Sequence, residues 1–155
     1  GNELGRWRQD QHAELRMTRH GNWAALLTTF IEERRFMPFA WGRNDCCLFA
    51  ADWVSLCTSC DPAVELRGKY STALGAARIL RDLGGVRGVI QKLGEPMGLQ
   101  RLKSVQDQRG DLVVADTGNG ESIGICIGAH AAFVGASGLL FAPFDFKKAA
   151  HCWRV

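Results

Sequence analysis

The apolar residues of this 155-residue chain change their spacing once, at Gly94, and that change restricts the fold more than any other feature. Before it they recur every three or four positions, the period of a helix with one buried face. Trp23, Leu26, Leu27, Phe30 and Ile31 share such a face, with Asn22 placed to cap it. Cys46, Ala50, Trp53 and Cys57 make a second face behind the cap residue Asp45, and Cys60-Asp61-Pro62 closes that helix. A third helix is expected from a Ser71 cap through Ala73, Ala76, Ala77 and Leu80 to Gly84-Gly85, and a short fourth from Val86 to Leu93. After Gly94 come short apolar runs, Leu112 to Ala115, Ile123 to Ile127, Ala131 to Val134 and Leu139 to Ala142. Turn residues such as Thr117-Gly118-Asn119-Gly120 separate them, as in a meander of antiparallel strands, and Cys152 to Val155 reads as a last strand. Helices first and strands afterwards imply an α+β domain with its helices packed on one sheet.

Residues 1–20 lack any apolar period and are expected to form an extension or arm, leaving 21–155 as the domain. Met17 is an alternative start within the arm. Trp7 would be its anchor on a partner, with Arg6, Arg8, Arg16 and Arg19 meeting acidic groups there. A net charge of +3 is too small to argue for nucleic acid as a partner. The longest apolar runs are too short for a membrane span. The first twenty residues are polar and show no secretory signal, so the six cysteines are expected as free thiols rather than disulfides.

The segment that carries chemistry is Trp41-Gly42-Arg43-Asn44-Asp45-Cys46-Cys47. It sets a cysteine in the first turn of an otherwise apolar helix, where the partial positive charge of the helix end favours thiolate over thiol. Successive side chains on a helix diverge, so Cys46 and Cys47 are expected to point apart. Trp41 and Gly42, just ahead, are candidates for one wall of a cleft. Cys57-Thr58-Ser59-Cys60 has no second CxxC to complete a metal site, so neither metal nor cofactor is expected.

Further on, Arg109-Gly110-Asp111-Leu112-Val113-Val114 is followed by Ile123-Gly124-Ile125-Cys126-Ile127-Gly128. Together with the Asp-Cys helix start, this order resembles the NlpC-type peptidoglycan peptidases of the papain-like cysteine-peptidase superfamily. More closely, it is similar to a family of small proteins carried beside the tail genes of tailed phages and prophages. Their pattern is a Trp-Gly-x-x-Asp-Cys helix, an Arg-Gly-x-Tyr step (here Arg67-Gly68-Lys69-Tyr70), the Gly-Asp strand, a Gly-Ile-x-x-Gly strand and a terminal Trp-Arg-Val, here Trp153-Arg154-Val155. The resemblance covers residues 21–155. It implies a papain-like NlpC-type fold, with Cys46 at the position of the nucleophile and Asp45 more a cap than a catalyst.

The departure is at the base. Ser122 stands before Ile123-Gly124-Ile125, where the peptidases have their histidine, and a serine has no pKa near neutrality with which to take the thiol proton. His130 is eight residues further on, ~26 Å along an extended strand, and is expected at the wrong end of the sheet. His20, His151 and Glu121 are the other candidate bases. The resemblance therefore implies, first, a catalytically degenerate tail-tip or baseplate protein of the virion, made in the host cytoplasm and docking on other phage tail proteins. The alternative is a cysteine endopeptidase or amidase that cuts the peptide stems of peptidoglycan during infection.

Overall fold

The computed structural model describes residues 19–102, 109–118, 120–143 and 152–155, with side chains 100–102 and 152 left aside. Among the described residues four helices precede the sheet: α1 (Trp23–Arg34), α2 (Cys46–Thr58), α3 (Ala73–Leu83) and α4 (Gly85–Gly94), the last running into a single 3-10 turn, Glu95–Met97. The strands are β1 (Gln100–Leu102), β2 (Leu112–Asp116), β3 (Glu121–Cys126), β4 (His130–Gly135), β5 (Gly138–Pro143) and β6 (Cys152–Arg154). They form one sheet in the order β1-β6-β2-β3-β4-β5 with every pairing antiparallel. The fold is α+β, with the helices on the sheet.

Helix α2 occupies the middle. Leu48, Phe49, Ala50, Ala51, Trp53, Val54 and Cys57 are all buried, an apolar surface nearly all round the axis, as a helix walled in on several sides requires. Phe49 and Trp53 meet Phe30 of α1, with ring centroids 5.4 and 5.8 Å apart. They join Leu112, Val114, Ile123 and Ile125 from the near face of the sheet in the main core. Leu48 and Ala51 face the other way, onto Ala63, Leu66 and Val89. The two-residue period of the strands sends Val113, Cys126, Ala131 and Phe133 to the far face, in a small cluster of their own. Gly124 belongs to that face, and a Cβ there would sit 2.6 Å from the Phe133 ring, so the ring lies where a side chain would be.

Three local expectations are corrected. The side-chain cap of α3 is Thr72, not Ser71: Thr72 is the extended residue directly before the helix, and its hydroxyl accepts the Gly75 N–H at 3.1 Å. Asn22 sits at the N-cap of α1 but makes no side-chain cap bond. Helix α2 ends one turn ahead of Pro62, where Ser59 adopts the left-handed conformation at φ 64°. Strand β1 was not expected at all, because Gln100-Arg101-Leu102 has no apolar run and is a strand only through pairing with β6.

Candidate functional site

The start of α2 is held by one carboxylate. Asp45 is extended, 2% exposed, and accepts the Leu48 N–H through Oδ1 at 3.0 Å, which caps the helix. Its Oδ2 accepts the Gly42 N–H at 3.0 Å and the Tyr70 hydroxyl. Gly42 has φ +77°, and a Cβ there would lie 2.2 Å from the Tyr70 carbonyl oxygen, so only glycine lets the two segments close on each other. The Arg-Gly-x-Tyr step thus grips α2 twice. Tyr70 holds Asp45, while Arg67 bridges Asp52 on α2 and Asp61, both at 2.7 Å. Arg34 of α1 also reaches Asp52, at 2.6 Å.

The other motif pieces close the opposite end of the domain. Asp111 is fully buried and meets the Arg19 guanidinium at 2.5 Å, Arg154 Nε at 3.7 Å and the Val155 N–H at 3.3 Å. Trp53 donates its indole N–H to the Gly110 carbonyl at 2.8 Å. Arg19, expected on an arm reaching for a partner, is instead tied to its own domain, and the His20 N–H bonds the Cys57 carbonyl. Trp7 lies outside the described residues.

Cys46, the first residue of α2, is half-buried and borders a cleft of about 970 Å³. Ser122 and Glu121 of β3 border the same cleft, whose rim carries Phe36, Trp41, Leu140 and Phe141. Trp41 stands edge-on to Phe39 at 4.7 Å, is 39% exposed and borders this cleft, whereas Gly42 does not. Glu121 pairs with Arg87 at 2.5 Å, both side chains being partly exposed.

Cys46 and Cys47 do not point apart. Their sulfurs are 4.0 Å from each other, because rotation about the two Cα–Cβ bonds brings adjacent first-turn side chains back together. The hydrogen bond from Cys47 pulls the Cys46 thiol below its ordinary value, against burial, and the Ile123 backbone N–H acts in the same direction. The Asp45 carboxylate opposes it. Cys47 is pushed up, by its bond to Cys46, by burial and by the negative charge beside it. Tyr70 is also raised, by burial first and then by its bond to Asp45.

Two of the candidate bases are remote. His20 bonds the Ser59 hydroxyl at 2.7 Å, at the far end of α2, a helix of 13 residues and so ~20 Å long. His130 opens β4 beyond the Cys126 end of β3, whereas Ser122 is at the other end. From β4, Val134 and Gly135 line the cleft, neither with a polar side chain to orient a base. His151 lies outside the described residues. Cys46, Cys47, Cys57 and Cys60 are free, with Cys57, near the end of α2, raised by burial. Among the described residues no group of three or more His, Cys, Asp or Glu is placed to hold a metal ion, and no helix is long and apolar enough to cross a membrane.

Sequence reasoning missed Cys47 as the partner of Cys46 and Tyr70 as the holder of Asp45. The signal for the second was only that the Arg-Gly-x-Tyr step and the Asp-Cys pair occur in one motif set. The signal for the first was only the adjacency of two cysteines.

Among known families, a family model described as a domain of unknown function, DUF6950, matches residues 18–155. No curated protein and no solved structure matches the chain.

Proposed function

The chain belongs to the DUF6950 family, and from that premise we propose that it is a docking module with an NlpC-type papain-like fold and a degenerate hydrolytic centre. Its place would be the tail tip or baseplate of a tailed phage. One observation carries the degenerate centre: Cys46 at the helix start shares its cleft with Ser122, while His20 and His130 are remote. Amide cleavage by a thiol needs a group that gives a proton to the departing amine, and a serine hydroxyl is a poor one at neutral pH. Docking is supported by the exposed aromatic and aliphatic rim of that cleft, with Phe36 80% and Leu140 55% exposed. The phage assignment rests on the resemblance of the motif set, and other tail proteins are the partners it suggests.

A second reading, a peptidoglycan endopeptidase or amidase with Cys46 as nucleophile, is favoured by the lowered pKa of that thiol and by the cleft before it. It needs a base such as His151. The deciding experiment assays release of stem peptides from purified peptidoglycan by the wild type and by Cys46→Ala, beside incorporation of Phe36→Ser/Leu140→Ser into tail particles. The docking reading expects no release above background, normal incorporation of Cys46→Ala and loss of incorporation in the rim variant. Release that disappears in Cys46→Ala would establish the enzyme instead.

A further inference from the structure

The two sulfurs at the start of α2 are close but unequal in their surroundings. Cys46 faces the open cleft, where water and ligands reach it. Both cysteines border a small cavity formed with Leu66, Ile79 and Leu80, and Cys47 without Cys46 borders a second, with apolar walls from Val54, Leu93 and Ile123. Charge is costly where water is excluded, so the neutral thiol belongs at Cys47 and the charge at Cys46. The backbone N–H of Ile123 and the positive end of α2 also converge on Cys46.

We propose that Cys47 is a positioning residue that donates its S–H to a Cys46 thiolate 4.0 Å away, standing in for the charge-stabilising half of an imidazolium's role. Among the described residues, the charged or titratable neighbours other than Asp45 fit this assignment. Asp45, on the same helix, opposes a second negative charge, but its carboxylate is occupied by the Leu48 and Gly42 N–H groups and by Tyr70. Tyr70, from the segment before α3, keeps its proton because its hydroxyl is committed to Asp45. On β3, Glu121 is paired with Arg87 of α4. Arg35, after α1, lines the same cleft. Helix α3 turns Ala76, Ile79 and Leu80 towards the pair.

This goes beyond docking and does not depend on it. A thiolate with a fixed S–H donor attacks any electrophile whose leaving group departs without a proton. With iodoacetamide, an S–C bond forms, the C–I bond breaks and iodide takes the electron pair. An amide offers no such leaving group, so a reactive Cys46 is compatible with a failed hydrolase.

The test is alkylation of the full chain with iodoacetamide from pH 5 to 10, with each cysteine followed by peptide-resolved mass spectrometry. The exposed Cys60 is the internal reference. In the wild type, Cys46 reacts first and Cys47 only at higher pH. Cys47→Ser keeps a donor and keeps the Cys46 profile. Cys47→Ala loses the donor, moves the Cys46 profile to higher pH and slows its alkylation at pH 7 by about tenfold, the worth of one hydrogen bond to a charged group. A merely structural Cys47 would leave the pH profile unmoved. The proposal is overturned if Cys47 reacts before Cys46, or if the Cys47→Ala profile matches the wild type. It also falls if Cys47→Ser shifts as far as Cys47→Ala. Should Cys47→Ala fail to fold by thermal denaturation, the wild-type order of reaction and the Cys47→Ser profile still decide.

Discussion

Replacing Asp45 with alanine should cost this domain a large part of its stability. Three donors lose their acceptor at once: the Leu48 N–H in the first turn of α2, the Gly42 N–H and the Tyr70 hydroxyl. Loss of a helix cap is worth about 1 kcal/mol. Each donor left buried without a partner adds about 1 kcal/mol at the low end of its range, giving ~3 kcal/mol in all. Asp45 is 2% exposed, but Gly42 and Tyr70 are half-buried, so water partly replaces their lost bonds and the low end of the range applies. Against a typical total of roughly 5–15 kcal/mol, such a loss is severe but compatible with folding. Urea denaturation followed by tryptophan fluorescence reads it, and with an m-value of about 2 kcal/mol/M the midpoint should fall by roughly 1.5 M. Asp45→Asn keeps an oxygen for the helix cap and should lose less. A drop below ~1 kcal/mol for Asp45→Ala would refute the reasoning, because it would mean that the cap alone was lost and the other two bonds contributed nothing.

Gly42→Ala should destabilise by at least ~2 kcal/mol, from a left-handed φ of +77° and a Cβ placed 2.2 Å from a backbone carbonyl; a fall of less than 1 kcal/mol in the same urea titration would argue against that close approach. Asp111→Asn leaves Arg19, 12% exposed at its side chain, without its carboxylate, and should cost ~3 kcal/mol or more; unchanged thermal stability would show that the pair is dispensable. The bond from Arg67 holds the Asp61 carboxyl below its usual range, so the stability it contributes is complete above the unfolded-state value of ~3.9 and is lost as pH falls through the lower folded-state value. Thermal melts of wild type and Arg67→Gln should therefore differ most near neutrality and converge below pH ~4, and a gap that widens in acid would contradict the sign.

What could be read from the sequence was local. Asp45 caps the helix that carries Cys46 because an N-cap carboxylate and the N–H three residues on lie within a single turn, and nothing distant is needed to bring them together. The period change at Gly94 likewise separated helices from strands, since each element shows its buried face in its own spacing. The Ser71 cap failed by one position because two hydroxyl residues stood side by side, and the choice between them depended on where the backbone turned extended. Strand β1 has no signature of its own and exists only because β6 returns beside it. The site was decided at longer range still. Tyr70 lies 25 residues from the carboxylate it holds, and Arg19 lies 92 from Asp111. Ser122 borders the Cys46 cleft because β3 packs under α2. Even the adjacent pair Cys46 and Cys47 needed the tertiary structure, because a helix sets only where two neighbouring Cα–Cβ bonds point. The side-chain rotations that bring their sulfurs to 4.0 Å are settled by what surrounds them: a cleft on one side, and apolar walls on the other.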